Sequence, residues 1–385
     1  MASSLSENNE PSGRRPTWAG IDLAALASNF QIIKGQVGRD VKVMAVVKAD
    51  AYGHGASQCA LRLEQEGADW FGVALPEEGM VLRNAGVAKP ILCLGGFWEG
   101  QAPACIRHAL TPVIYRLDMA EALNAAARDA GMVTDVHVKV DTGMGRLGIR
   151  SEDVAAFCAG LSRLKNLRVD GLMTHFAAAD EKCLDDFTAA QLKHFNEAVA
   201  IFKAHGFAAA HQHMANSAAT FGHPETHGNM VRPGGALYGL CDTLPAGVDA
   251  SALRPVMSLH SNIILLKWIQ AGEPVGYGCT FKAARRTLVA TIPLGYEDGY
   301  RRALSNLGRV IVRGAYAAVI GRISMDLTLI DVTEVAEVAL GDKVTMLGRN
   351  GELSISAEEL AQAIGTISYE ITCGVSDRVP RVCVT

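Results

Sequence analysis

The sequence lacks a strong bias of charge and has no long apolar run. Its formal net charge is −4 over 385 residues, and lysine and arginine form no extended cluster. A basic face marks proteins that bind nucleic acid or anionic membranes, so neither partner is expected. No apolar stretch reaches the ~20 residues that span a bilayer, so no membrane segment is predicted.

Cysteine is present but without a pattern. The nine cysteines are scattered and odd in number, and no two of them form a C-x-x-C pair. This argues against a zinc site or a redox motif, and reduced thiols in a cytoplasmic protein are the simplest interpretation. A chain of this length buries a substantial core without disulfides. Residues 1–16 are polar and lack the apolar core of a secretory signal, so a disordered leader is predicted.

Residues 17–245 alternate short apolar runs with longer amphipathic segments. Because parallel strands need crossover connections, eight such runs predict an α/β fold, a (β/α)₈ barrel of the TIM type. An open doubly wound sheet is the alternative. The eight runs are Val41–Lys48, Trp70–Leu75, Ile91–Gly96, Thr111–Tyr115, Thr134–Asp141, Leu167–Phe176, Ala208–Ser217 and Met230–Gly239.

Residues 246–385 have a different rhythm, in which short strands are separated by turns. One predicted helix, Ala357–Ile364, interrupts them. The pattern predicts a second, mostly β domain. Its candidate strands are Ser261–Trp268, Leu288–Tyr296, Val310–Arg313, Ala317–Ile323, Leu327–Val332 and Lys343–Leu347.

Polar residues follow several of the eight runs, and the active site of an α/β barrel lies at the C-terminal ends of its strands. The first run ends at Lys48, the sixth carries His175, the seventh ends in Asn216 and Ser217, and the eighth contains Arg232. A lysine at a buried strand end can form a Schiff base with an aldehyde cofactor, although a lone lysine there is more often a solvated strand cap. The convergence of these strand ends on one rim favours a site.

The fifth run places polar residues on one face. His137, Lys139 and Asp141 alternate with three valines, so in a barrel the valines would meet the helices and the polar set would point inward. The run continues into Gly143–Gly148, whose glycine spacing is not that of a dinucleotide fingerprint. A dinucleotide site is therefore not predicted.

Together these segments resemble the alanine racemase family over residues 17–380. The resemblance implies a pyridoxal-phosphate (PLP) enzyme with an α/β barrel and a β-rich second domain, which interconverts L-alanine and D-alanine. The most specific segments are the stretch around Lys48, Lys139–Gly148 and Arg232–Gly239, followed by Val275–Gly278, Ile292–Tyr296, Gly321–Asp326 and Tyr369–Glu370.

The resemblance also implies residue roles. Lys48 would hold PLP and act as one base, and Tyr277 from the second subunit of a homodimer would act as the other, so that each active site is shared. Arg232 would face the pyridine nitrogen, with His175 and Asn216 beside it. Arg146 and the amide of Met325 would bind the substrate carboxylate. The PLP phosphate would be held by Tyr52, Ser217, Tyr369 and the backbone amides of Gly234 and Gly235.

Lys139 is a candidate for modification. An inward lysine near Arg146 would be a like-charge clash, and many members of the family resolve it by carbamylating the lysine. An ion pair between Lys139 and Asp141 is the alternative, since structural ion pairs are common.

Three positions depart from the family pattern. Ser324 stands where cysteine is common, Gly235 where a branched apolar residue is common, and Glu297 where a small residue is usual. They concern the width of the substrate entrance, so a broader alanine/serine racemase is one alternative. A non-catalytic PLP-binding homeostasis protein would resemble only the first domain, and an arginine at the pyridine nitrogen suits a PLP decarboxylase poorly. D-Alanine would serve peptidoglycan synthesis or alanine catabolism.

Overall fold

The computed structural model describes residues 15–384, which form two compact units. One unit is Ala25–Arg254, and the other joins residues 15–24 with residues 255–384. The described part of the chain begins with strand β1 (Thr17–Asp22) and helix α1 (Leu23–Val37). Within the described residues, no helix has both the length and the apolar character needed to cross a membrane.

The unit Ala25–Arg254 is a barrel of parallel strands alternating with helices. Its strands are β2 (Lys42–Val46), β3 (Trp70–Val73), β4 (Ile91–Cys93), β5 (Thr111–Ile114), β6 (Thr134–Asp141), β7 (Ile149–Arg150), β8 (Leu167–Met173), β9 (His211–His213) and β10 (Met230–Val231). Its further helices are α2 (Lys48–Gly53), α3 (Ala56–Gln65), α4 (Pro76–Asn84), α5 (Ala102–Arg107), α6 (Leu117–Asp129), α7 (Val154–Leu161), α8 (Asp185–Ala204) and α9 (Ser217–Gly222).

Eight of these strands run around the barrel in the order β10-β2-β3-β4-β5-β6-β8-β9, while β7 pairs with β6 outside that path. Two backbone hydrogen bonds link the ends of the path: Asn229 N to Gln212 O at 3.2 Å and Arg232 N to Ala215 O at 2.9 Å. The predicted barrel is therefore confirmed, and the open doubly wound sheet is wrong.

Apolar side chains fill part of the barrel, which explains the apolar residues that most of these runs contain. Parallel strands are covered on both faces, so they read as continuous apolar runs. Burying each of these side chains stabilises the fold by roughly 1.5–3 kcal/mol. The cluster takes one residue from each of six strands: Met44, Trp70, Leu92, Val113, Met173 and Met230.

Most barrel strands end earlier than predicted. The run Ala208–Ser217 contains only β9, and Met230–Gly239 contains only β10 followed by a 3₁₀ helix at Gly235–Tyr238. The residues beyond each strand leave the ladder and form loops at the rim. Because loop backbone is not committed to the sheet, it is available for binding.

The second unit is mostly β, as predicted. Its single helix from the sequence, Ala357–Ile364, is confirmed as α10, and a short helix α11 (Ser368–Cys373) follows it. The strands are β11 (Met257–Asn262), β12 (Leu265–Ile269), β13 (Pro274–Val275), β14 (Phe281–Lys282), β15 (Thr287–Ile292), β16 (Arg309–Val312), β17 (Ala315–Val319), β18 (Thr328–Asp331), β19 (Lys343–Asn350), β20 (Leu353–Ile355) and β21 (Arg381–Val384).

The domain boundaries differ from the sequence-based ones at both ends of the barrel. β1 pairs antiparallel with β11 and parallel with β21, so residues 17–24 belong to the second unit and not to the barrel. The Thr17 hydroxyl donates to the Pro293 carbonyl at 2.9 Å and lies 2.9 Å from Ser261 Oγ. Residues 246–254 stay with the barrel, where Asn29 donates to the Arg254 carbonyl at 2.8 Å.

The predicted leader, residues 1–16, lies outside the described residues except for Arg15 and Pro16. Those two residues contact the second unit. Arg15 forms a bidentate pair with the buried Asp298 at 2.6 and 2.9 Å, and the Pro16 carbonyl accepts from Ser261 Oγ at 2.9 Å. The predicted strand Ser261–Trp268 is also wrong as one element, because the chain divides it between β11 and β12.

Candidate active site

Lys48 begins an unusual turn at the end of β2. The four residues Ala49–Tyr52 all have left-handed backbone angles, with φ between 51° and 55°. This conformation costs roughly 1–2 kcal/mol per L-residue, and such strain persists at functional sites only where the surroundings impose it. Lys48 is half-buried, and its Nζ lies 6.0 Å from the centroid of the Tyr52 ring.

Two carboxylates hold this turn in place. Glu78 near the start of α4 accepts hydrogen bonds from the Ala49 amide at 2.7 Å and the Ala74 amide at 2.6 Å. Asp50 accepts from the Ala56 amide at 2.7 Å and so ties the turn to the start of α3. These bonds satisfy donors at the starts of two helices. The sequence interpretation did not identify Glu78, although its place three residues after Leu75 fits an N-terminal capping residue.

A cradle of hydroxyls and amides lies at the ends of β9 and β10. Ser217 Oγ accepts from the Gly234 amide at 2.9 Å and from the Ala236 amide at 3.3 Å. A Cβ atom at Gly234 would overlap the Tyr52 hydroxyl, so the missing side chain lets that hydroxyl approach the backbone. Hydroxyl and amide donors that converge in this way are typical of a phosphate site. The structure therefore brings together Tyr52, Ser217, Gly234 and Gly235.

Arg232 is a buried cation at the same rim, with 4% of its surface exposed. Its guanidinium donates to three carbonyls, those of Thr174, His213 and Met214, at 2.7–3.0 Å. It also meets the Nδ1 atoms of His213 at 3.0 Å and His175 at 3.3 Å. Burial lowers the pKa of Arg232 to about 9, so the group remains a cation at neutral pH.

The charges near Lys139 and His175 are mainly positive. Burial, followed by Arg232 and Arg146, lowers the pKa of Lys139 to about 8. Burial and the same two arginines hold the pKa of His175 well below its usual range, so this imidazole is neutral. Arg146 is exposed, in a loop where Asp141 Oδ1 accepts from the Gly143 and Gly145 amides at 3.1 and 3.0 Å.

Gln191 on α8 binds the loop that carries His175, and the sequence interpretation did not identify it. Its side chain is fully buried and donates to the His175 carbonyl at 3.1 Å and to Thr142 Oγ1 at 3.2 Å. It also accepts from the Ala177 amide at 3.0 Å. A polar residue in a helix carries no local signal of these contacts, because its partners lie on loops far away in the chain.

The remaining predicted residues are placed elsewhere. Asn216 caps α9 by accepting from the Ala219 amide at 3.0 Å, so its side-chain oxygen serves that helix. Tyr277, Met325 and Tyr369 belong to the second unit. Tyr277 is 72% exposed and Met325 49% exposed, and Tyr369 is half-buried on α11.

The residues at the rim fit PLP. Lys48 offers the amine that an aldehyde cofactor requires, the cradle around Ser217 and Gly234 suits a phosphate, and Arg232 offers donors to a ring nitrogen. A barrel with these groups at the ends of its strands has the design of a PLP-dependent enzyme. Models of the alanine racemase N-terminal domain and of its C-terminal domain match residues 21–242 and 256–383. Because the two matches cover most of the chain, the protein belongs to the alanine racemase family.

Known alanine racemases are similar to this chain over nearly its full length. An alanine racemase from Geobacter sulfurreducens is 46% identical over 373 residues, which are 96% of this chain and 97% of the relative. The alanine racemase of Bacillus anthracis, solved with bound L-Ala-P, superposes with a TM-score of 0.89 at 34% identity, covering 97% of this chain and 96% of that one. The alanine racemase of Bartonella henselae, solved with covalently bound pyridoxal phosphate, has a TM-score of 0.86 at 27% identity, covering 96% and 100%.

The cradle makes a specific prediction. Gly234→Ala should weaken PLP binding by about tenfold or more, because the added methyl group would displace the Tyr52 hydroxyl and the phosphate donors must shift by a fraction of an ångström. Retained PLP after dialysis, measured by absorbance, tests this. Gly35→Ala is the matched control, since a Cβ there meets nothing within 4 Å. Equal PLP retention in both variants would show that Gly234 is not part of the cradle.

Proposed function

We propose that this protein is an alanine racemase that interconverts L-alanine and D-alanine with PLP. Arg232 is the observation that carries the proposal, in the setting of the family membership. When bound, PLP supplies an electron sink for the electrons left at Cα after proton removal. A guanidinium only donates hydrogen bonds, so a ring nitrogen facing it stays unprotonated. A ring with an unprotonated nitrogen withdraws electrons from Cα less strongly. This favours return of a proton to Cα over transamination or decarboxylation.

The chain's own residues then have separate tasks. Lys48 carries the cofactor and, once released from it, exchanges a proton with Cα on one face. Tyr277 exchanges a proton on the opposite face. Two bases meet the stereochemical need of racemisation without rotating the substrate, and each positioned base typically contributes roughly 10²–10⁴ in rate. Arg146 and the Met325 amide hold the substrate carboxylate, and Tyr369 completes the phosphate cradle.

The proposed assembly is a homodimer in which Tyr277 and Met325 of one subunit cover Lys48 of the other. The high exposure of Tyr277 and Met325 within their own unit supports this. Around Tyr277 the backbone is held by Gly276 and Gly278, both at φ 72°. A Cβ at Gly278 would lie 2.5 Å from an Arg322 guanidinium nitrogen. The loop therefore presents Tyr277 outward in a defined conformation.

Two further proposals concern the range of substrates and the location of the protein in the cell. Alanine is the proposed main substrate, and the alternative of an alanine/serine racemase depends on Ser324, Gly235 and Glu297. Ser324 Oγ donates to the Leu327 carbonyl at 2.9 Å, and this bond shapes the turn that carries Met325. No disulfide joins any two of the nine cysteines in the described residues, which supports the proposed cytoplasmic location.

The two bases can be separated by isotope exchange. Tyr277→Phe should slow exchange of the Cα proton from one alanine enantiomer by about 10²-fold or more, because only one face loses its base. Lys48→Ala should bind no cofactor covalently. Deuterium incorporation from L- and D-alanine, followed separately, measures this, and Tyr316→Phe on β17 is the control. Equal slowing from both enantiomers would argue against two bases.

We propose that Lys139 is carbamylated, because the charges around it are mainly positive. The ammonium first releases a proton, the neutral amine then attacks the carbon of CO₂, and a second proton leaves. A cation is thereby replaced by a carbamate anion facing Arg146 and Arg232. With a pKa of about 8, the amine is increasingly protonated as the pH falls below 8, so labelling should decrease towards pH 6.

NMR of protein in ¹³CO₂-enriched buffer should show a carbamate signal that is lost in Lys139→Ala. That variant should have a raised KM for alanine, since Arg146 loses an orienting anion, and a short carboxylate should partly restore it. Absence of any ¹³C signal at pH 8 would favour the Lys139–Asp141 ion pair.

Shared active sites can be tested by mixing two inactive variants. A heterodimer of Lys48→Ala and Tyr277→Phe subunits would collect both lesions in one site and leave the other intact. Activity should therefore reach about half that of the wild-type dimer per heterodimer. Heterodimers that form but remain inactive would place Lys48 and Tyr277 of the same chain in one site.

A further inference from the structure

A chain of polar side chains runs through the barrel from the buried Arg232 to the partly buried Asp170. Arg232 contacts His213 Nδ1 at 3.0 Å, and His213 Nε2 lies 2.8 Å from His137 Nδ1. His137 Nε2 faces Asp170 Oδ2 at 3.7 Å. Both histidines are fully buried. None of Arg232's hydrogen-bond acceptors within residues 15–384 is a carboxylate. The two histidines therefore connect the guanidinium to the carboxylate of Asp170.

We infer that His213, His137 and Asp170 form a proton-ordered chain that positions Arg232. The guanidinium can only donate, so His213 Nδ1 must be unprotonated. A neutral His213 then carries its proton on Nε2 and donates it to His137 Nδ1. His137 in turn carries its proton on Nε2, which faces the Asp170 carboxylate. Every proton in the chain therefore has one allowed place while Arg232 is charged.

A second proton on either imidazole would break this order. A doubly protonated His137 would donate from Nδ1 to His213, which would then turn an Nδ1–H towards the guanidinium. A doubly protonated His213 would do the same directly. Burial lowers the pKa of both histidines, in agreement with neutral rings. The chain thus admits two neutral imidazoles with the same tautomer.

Asp170 reaches the histidines because of an irregularity in the sheet. Between β6 and β8 the register passes from Val136 opposite Val169 to His137 opposite Gly171, which leaves Asp170 as the extra residue of a bulge. Bulges redirect side chains, and here the carboxylate lies 3.7 Å from His137 and 3.5 Å from His211. The contact with His137 and the neighbouring His211 lower the pKa of Asp170, so it is an anion.

Gly171 makes room for the chain. A Cβ at this position would lie 2.5 Å from His137 Nδ1, the atom that accepts from His213. The His137 ring also contacts Trp70, with centroids 5.1 Å apart. The ring is therefore confined on two sides, and its nitrogens point along the line from His213 to Asp170. At 3.7 Å the last contact is electrostatic, and a small rotation of Asp170 would make it a hydrogen bond.

The consequence for function is a fixed guanidinium. The anion at one end polarises both imidazoles, which strengthens His213 Nδ1 as an acceptor and holds Arg232 in one orientation. His213, His137 and Asp170 are positioning residues, since they act through Arg232. Its role towards the PLP ring rests on the proposed function, whereas the order of protons is a property of the barrel alone.

The test is ¹⁵N NMR of protein labelled at histidine and arginine, with and without PLP. We expect His213 and His137 to be neutral with the proton on Nε2. Hydrogen exchange at the Arg232 guanidinium should be about tenfold faster in Asp170→Ala, the order of one lost hydrogen bond. Asp135→Ala is the control, because this nearby carboxylate forms its ion pair with Arg168. His137→Phe should match Asp170→Ala, while His137→Gln, whose amide oxygen can accept from His213, should restore slow exchange.

An Nδ1–H tautomer or an imidazolium at either position in the wild-type protein would overturn the proton order. Unchanged guanidinium exchange in Asp170→Ala and His137→Phe would overturn the positioning role. Because these measurements do not require turnover, they remain decisive if the protein fails to racemise alanine. In that case the proposed function would be wrong, but the proton order of His213, His137 and Asp170 would still be supported.

Discussion

The site depends on burying one arginine where only neutral acceptors surround it. A buried cation is costly unless its donors are satisfied, and Arg232 meets that condition by binding three carbonyls and two imidazoles. Those acceptors come from the ends of β8 and β9. The guanidinium therefore joins neighbouring strand ends of the barrel. After burial, its positive charge is the next largest cause that lowers the pKa values of Lys139 and His175.

Close backbone approach is the second requirement of this rim. Gly234 brings the Tyr52 hydroxyl onto the cradle, and Gly171 admits the His137 ring. In both places a single methyl group would displace a polar side chain. The turn after Lys48 is also conformationally restricted. The carboxylates of Glu78 and Asp50 hold its four residues in a left-handed conformation. Local strain is thereby maintained by contacts from α3 and α4.

The sequence predicted the barrel because its signals are local. Apolar runs such as the one that became β6 have a clear period, and α10 was identified to the residue from its pattern. The predicted strands extend beyond the observed ends of β9 and β10. The residues that follow these strands form rim loops, but many of them are apolar and therefore resemble strand residues in the sequence. β1 was assigned to the wrong domain, because its partners in β11 and β21 lie more than 200 residues away and no local pattern encodes that pairing.

The sequence by itself determined which chemical groups stand at the strand ends: Lys48, His175, Ser217 and Arg232 follow apolar runs, and a barrel gathers such ends on one rim. Only the tertiary structure decided how these groups are held. The bulge that turns Asp170 towards His137, and the reach of Gln191 to the His175 loop, arise from register and packing between distant segments. Hydrogen bonds depend on distances of a few tenths of an ångström, and that precision exists only once the strands have closed around the barrel.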